Sequence, residues 1–233
     1  MKYNRILLKL SGESLMGERE YGIDAQATKQ LANKIKTIYD SKKELVIVIG
    51  GGNIFRGKSA AKNGMDRATA DYMGMLATVI NSLALQDEIE KIGIETRVLS
   101  AISMPSIAEP YIRRRALRHI EKGRIIILAA GTGHPYFSTD SNAVLRALEL
   151  HCDIVFKATT VDGVYSNDPK IDATAQKYDS ISFQEVIEKN LEVMDGSAFA
   201  LARENNLPIY IFNQEDLEKV IAQDTSGIGT IVN

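Results

Sequence analysis

Short apolar runs recur along the chain at Arg5–Leu10 (RILLKL), 45–49 (LVIVI), 96–99 (TRVL), Ile125–Ala129 (IIILA), 154–157 (IVFK) and 209–212 (IYIF). Several are continuous rather than alternating, the pattern of strands covered on both faces. Between them, 25–41 carries Leu31, Ile35 and Ile38 at helical spacing, and Arg67–Lys91 predicts a long helix. A helix is also predicted over 140–150, opened by an N-cap candidate. Ser182-Phe183-Gln184-Glu185 is a capping-box pattern ahead of Val186 and Ile187. Strands alternating with helices imply crossover connections, so the expected class is α/β, with a mostly parallel central sheet between helix layers. With no linker, repeat or low-complexity tract, residues 1–233 read as a single domain.

In such sheets ligands gather beyond the carboxyl ends of the strands. Ser11-Gly12 closely follows the first run, Gly50-Gly51-Gly52-Asn53 the second and Gly131-Thr132-Gly133 the fourth. One glycine loop is most simply a turn; three at one end of a sheet point to backbone N–H groups turned toward an anion. Lys9 lies in an otherwise apolar stretch just before Ser11-Gly12, and a lysine at the end of a buried strand needs a partner. A phosphate chain would serve; the alternative is a lysine snorkelling from the strand end.

Residues 52–59 satisfy the P-loop spacing G-x-x-x-x-G-K-[ST]. That reading also requires an apolar strand ending in an acidic residue to hold magnesium, and none of the runs ends so. Gly64 further interrupts the helix that should follow. Arg56 remains a good phosphate ligand through its planar fork.

Residues 131–140 crowd hydroxyls, amides and rings before Asp140, a composition suited to a nucleoside monophosphate; a plain N-cap is the structural alternative for Asp140. His134 reads as lining, because a phosphate acceptor with a second pKa of about 6 is already largely dianionic and needs no base. Val161-Asp162-Gly163-Val164-Tyr165-Ser166-Asn167-Asp168-Pro169 could be loop chemistry, although Tyr165 and Asp168 would suit a nucleotide's base and sugar. The Arg113-Arg114-Arg115 run reads as a solvated helix face. Arg67–Lys91 is apolar on more than one side, which implies a helix buried all round or shared with another subunit.

Composition narrows the partners. Among 233 residues, 28 Lys and Arg face 30 Asp and Glu, a formal net charge of −2. There is no global basic field for long nucleic acid, so no nucleic-acid partner is expected. The lone Cys152 fits a reducing compartment, and the short N-terminal apolar run suits neither a leader nor a membrane span. A cytoplasmic protein with no membrane partner is expected.

Taken together, Lys9-Leu10-Ser11-Gly12-Glu13, Gly50-Gly51-Gly52-Asn53 with Phe55-Arg56-Gly57, Asp71-Tyr72-Met73-Gly74-Met75, 131–140, Lys157-Ala158-Thr159 and 161–169 resemble the amino-acid kinase superfamily. Within it, the likeness is to the bacterial enzymes that phosphorylate UMP, and it runs from about Arg5 to the C-terminus. It implies an αβα sandwich on a mostly parallel sheet and a homo-oligomer, a hexamer. The implied reaction is ATP + UMP giving ADP + UDP, with UTP as feedback inhibitor and Mg²⁺ held mainly through nucleotide phosphates and water rather than by protein ligands.

By position, Lys9, Leu10, Ser11, Gly12, Gly52, Arg56, Thr159, Tyr165 and Asp168 resemble the ATP site. Gly51, Asp71 (toward the ribose), Thr132, Gly133, His134, Pro135, Tyr136, Phe137, Ser138 and Thr139 resemble the UMP site. Lys9 is then catalytic, with Asp140 and Asp195 orienting it and the metal-bound phosphates. The rival readings are a P-loop nucleotide kinase using Lys58, a superfamily relative acting on an amino-acid carboxylate, and a nucleotide-binding sensor without catalysis.

Overall fold

Side chains alternate across a strand, so a run that is apolar at every position must be covered on both faces. The computed structural model describes residues 3–167, 169, 171–172, 174–191, 193–221 and 227–233 and bears this out. Its first half comprises β1 (Arg5–Leu10), a 3₁₀ turn (Gly12–Leu15), α1 (Ala25–Asp40), β2 (Glu44–Ile49), α2 (Gly57–Lys62), α3 (Arg67–Lys91), β3 (Thr96–Ser100), β4 (Glu109–Pro110), α4 (Arg113–Glu121) and β5 (Ile125–Ala129). Next come α5 (Thr139–Glu149), β6 (Ile154–Thr159), the hairpin β7 (Val164–Tyr165) and β8 (Lys177–Tyr178), β9 (Ser180–Ile181), α6 (Phe183–Glu188) and α7 (Gly196–Glu204). The chain closes with β10 (Ile209–Asn213), α8 (Leu217–Ile221) and β11 (Thr230–Val232).

Nine strands form one sheet in the order β4-β3-β5-β2-β1-β6-β10-β11-β9. Every pairing in it is parallel except β10 with β11. Ile6, Leu8 and Leu10 of β1 pack with Ile47 and Ile49 under α1 and α3, through Leu31, Ile35, Val79 and Leu85. The intervening Leu7, Val46, Val48 and Val155 face α4, α5, α6 and α7, through Ile120, Val144, Val186 and Phe199. The result is an αβα sandwich. Full burial of one such aliphatic side chain contributes roughly 1.5–3 kcal/mol, so this two-sided packing is the main source of stability.

All six apolar runs are strands, and the predicted helices form, with the capping box on α6 made by Ser182 and Glu185. Two details differ. The cap of α5 is Ser138, whose hydroxyl accepts from the Ser141 N–H, so Asp140 lies in the first turn and its carboxylate is not spent on capping. A helix does follow Gly57, but α2 lasts six residues.

Candidate active site

The register of the central strands creates the site. Lys9 of β1 and Lys157 of β6 are directly paired on neighbouring parallel strands, and strand alternation places both on the α5 side of the sheet. Two ammoniums side by side in a dry layer repel each other. The first turn of α5 supplies the counter-charge: Asp140 Oδ1 lies 2.7 Å from Lys9 Nζ, and Asp140 Oδ2 lies 2.7 Å from Lys157 Nζ. Burial alone would raise the Asp140 carboxyl, but the Lys9 and Lys157 ammoniums outweigh it and hold the group down at about 2. Lys157 also donates to the Val193 carbonyl at 2.5 Å. Its ammonium is lowered by burial, against the pull of Asp140.

Of three cavities nearby, only the second is lined by members of this cluster, Asp140 and Lys157. The largest, about 830 Å³, is lined by Gly51, Gly52, Arg56, Asp71, Met75 and Gly131, by Tyr136 through Thr139, and by Asp195 and Ser197 among others. A second, about 540 Å³, is lined by Asp140, Lys157, Asp195 and the Asn190–Leu191 turn. The third, about 500 Å³, is lined by Thr159, Gly163, Tyr165 and Asn167, and shares Asn190, Leu191 and Val193 with the second. Asp195 lines the first two, so the acidic pair stands where they approach each other.

Glycine is needed where the loops meet. A Cβ on Gly12 would lie 2.3 Å from Asn53 Oδ1 and 2.7 Å from the Gly50 carbonyl, and one on Gly51 would lie 2.8 Å from Ala77 Cβ and from the Gly74 carbonyl. Asn81 of α3 clamps the loops from behind, donating to the Gly50 carbonyl and to Asn53 Oδ1, each at 2.7 Å. Ser11 caps the 3₁₀ turn by accepting from the Glu13 N–H.

Asp71 is held by Arg67 Nε at 2.9 and 2.8 Å and by the Tyr136 N–H at 2.7 Å, while the Arg67 guanidinium lies over the Tyr136 ring. Tyr136 takes φ +72°, unusual for a bulky residue, and its ring is exposed beside the large cavity. Arg56 pairs with Glu13 at 2.6 Å.

The expected residues divide accordingly. Lys9 pairs with Asp140, and Asp140 shares the second cavity with Asp195, while Lys9, Ser11 and Gly12 line none of the three cavities. Gly51, Asp71 and Tyr136–Thr139 line the large cavity, as do Gly52 and Arg56, which were expected with ATP. Thr159 and Tyr165 line the third cavity; Asp168 lies outside the described residues. Leu10 is buried in the core, so only its backbone is available to a ligand. Thr132, Gly133, His134 and Pro135 form a turn that none of the cavities includes, with the His134 N–H on the Thr132 hydroxyl. Lys157 stands in a motif quoted above but with no role assigned to it, and the sequence alone does not single out Arg67 or Ser197. A lysine closing an apolar strand was the available signal for the first, the same signal that singled out Lys9. Ser197, joined to Ser141 by a 2.8 Å hydroxyl contact, gave none.

Among the described residues, no group of three or more His, Cys, Asp or Glu side chains could hold a metal ion. Asp140 is occupied by two lysines. This donor set fits a magnesium ion carried by phosphates and water better than one caged by protein.

Residues 4–213 match the amino acid kinase family. The chain is 56% identical to a uridylate kinase of Rickettsia bellii over 99% of its own length and 98% of the relative's. It superimposes on the crystal structure of UMP kinase from Bacillus anthracis with a TM-score of 0.94 at 40% identity, covering 99% of this chain and 96% of that one. Against the UMP kinase from Ureaplasma parvum the TM-score is 0.93 at 40% identity, over the full length of both chains. The sheet order, the lysine-bridged aspartate and these likenesses agree: the chain belongs to the amino acid kinase family, among its uridylate kinases.

Proposed function

We propose that this site transfers the γ-phosphoryl group of ATP to UMP, giving ADP and UDP, as a step in pyrimidine nucleotide biosynthesis in the cytoplasm. The observation that carries the reading is the Lys9–Asp140–Lys157 cluster, set where a large cavity and a second cavity approach each other across Asp195. In this reading the large cavity takes UMP, with Asp71 and the 136–139 segment as its lining. The second and third take the triphosphate and base of ATP, with Thr159 and Tyr165 at the base.

The chemistry asked of the protein is positioning and charge stabilisation. Both substrates are polyanions that repel, and Lys9 supplies a fixed positive charge as charge moves onto the leaving ADP. Asp140 keeps that lysine charged and in place. Backbone N–H groups of the Ser11-Gly12 and Gly51-Gly52 loops, with Arg56, offset the remaining charge. Asp195 would stand near a magnesium ion carried by the phosphates, which would supply neutralising charge to the triphosphate when bound. The acceptor phosphate arrives largely dianionic, so no general base is required and His134 has no proton to move.

UTP, with the base and sugar of the acceptor, would inhibit by occupying the large cavity. The α3 face bearing Tyr72, Met73, Leu76 and Ile80 is exposed and apolar, which supports a homo-oligomer, a hexamer in this reading. The test of function is ADP release measured across UMP, CMP, dTMP, glutamate and aspartate as acceptors. UMP should be turned over far faster than the rest; equal rates with CMP, or preference for an amino acid, would overturn the assignment.

A further inference from the structure

Lys157 is as closely built into the centre as Lys9. Its side chain is 7% exposed, and two of its three N–H donors are committed, one to Asp140 Oδ2 and one to the Val193 carbonyl. Ile154, Val155, Phe156 and Ala158 of β6 are apolar, so a methionine would fill the same space without a buried charge. A buried ion pair of this kind is a poor source of stability, because desolvation offsets much of the attraction. Its retention here needs another account, and the geometry supplies one. Lys157 joins three elements that the reaction requires in fixed relation: strand β6, the first turn of α5 carrying Asp140, and the segment that runs from Val193 to Asp195.

We propose that Lys157 is a positioning residue for phosphoryl transfer: by gripping Asp140 Oδ2 and the Val193 carbonyl, it aims Asp140 Oδ1 at Lys9 and fixes the backbone that presents Asp195. This rests on the kinase reading above. With Lys157 removed, Asp140 retains Lys9 as a partner but is free to turn, and the 193–195 segment loses its hydrogen bond from β6. Binding is spread over the cavities and should persist; the transition state, which needs Lys9 in register, should not.

The test is steady-state kinetics on Lys157→Met, Asp140→Asn and the double variant, with oligomeric state and circular dichroism checked for each. Lys157→Met should lower kcat about 10²-fold, the effect of misplacing a reacting group, and leave KM for ATP and UMP within about threefold. Because Lys157 acts through Asp140, adding Lys157→Met to Asp140→Asn should change kcat by less than about threefold. Lys157→Gln, which keeps a hydrogen bond but no charge, is read in the same way if the methionine variant does not fold. A folded Lys157→Met or Lys157→Gln enzyme at parental kcat, or fully additive losses in the double variant, would overturn the positioning role alone. A parent chain that fails to phosphorylate UMP at saturating ATP would overturn the kinase reading and the role together.

Discussion

Asp140 carries two ammoniums on one carboxylate, and its titration is the most direct residue-scale consequence. The folded carboxyl sits at about 2, below its ordinary 3.8, because Lys9 and Lys157 outweigh the burial that would raise it. A depressed carboxyl contributes stability that is fully present above its unfolded value and is lost as pH falls through the folded one. The difference amounts to roughly 2 kcal/mol. The stability gap between the parent and Asp140→Asn in chemical denaturation should therefore shrink by about that amount between pH 6 and pH 2. A gap that is constant over this range would contradict the pairing.

Residue chemistry was partly legible. Lys9 stood out because a glycine turn follows it. Lys157 carried the same mark of a charge closing an apolar strand, but what gives it meaning is its register with Lys9, and register is a property of the folded sheet. The capping of α5 was displaced by two residues for a similar reason: Ser138 and Asp140 are both good caps, and only the tertiary demand of the lysines decides between them.

At the scale of elements, the long runs were readable and the short ones were not. β1, β3, β5 and α3 begin where their patterns begin. The two-residue strands β4, β7, β8 and β9 carry no periodicity to read, and they form because neighbouring backbone offers a ladder. Helix α3 has two duties. Gly74, Met75 and Thr78 line the large cavity, while Tyr72, Met73, Leu76 and Ile80 are left exposed on the molecule's outside. A soluble monomer has little reason to display such a stripe, and burying it between copies would recover about 25 cal/mol per Å² of apolar area. Leu76→Glu combined with Ile80→Glu should thus lower the oligomeric state measured by light scattering while leaving helix content unchanged. An assembly of unchanged mass would show that the stripe is not an interface.

The described residues are built on one nine-stranded sheet, apart from the β7–β8 hairpin, with glycine loops at one end, and nearly every functional assignment follows from which side chains that end collects. The sequence also offers a competing centre, the P-loop spacing of residues 52–59. The fold weighs against it: the loop is followed by the six-residue helix α2. The charge cluster is built instead on Lys9 and Asp140. The measurement that separates the two is UDP formation by Lys9→Ala and Lys58→Ala side by side, with circular dichroism to confirm folding. Removing a charge preorganised for the transition state should lower kcat by on the order of 10²-fold or more, so Lys9→Ala should be nearly inactive. Lys58→Ala should stay within a few-fold of the parent. An inactive Lys58→Ala beside an active Lys9→Ala would contradict the site and the mechanism together.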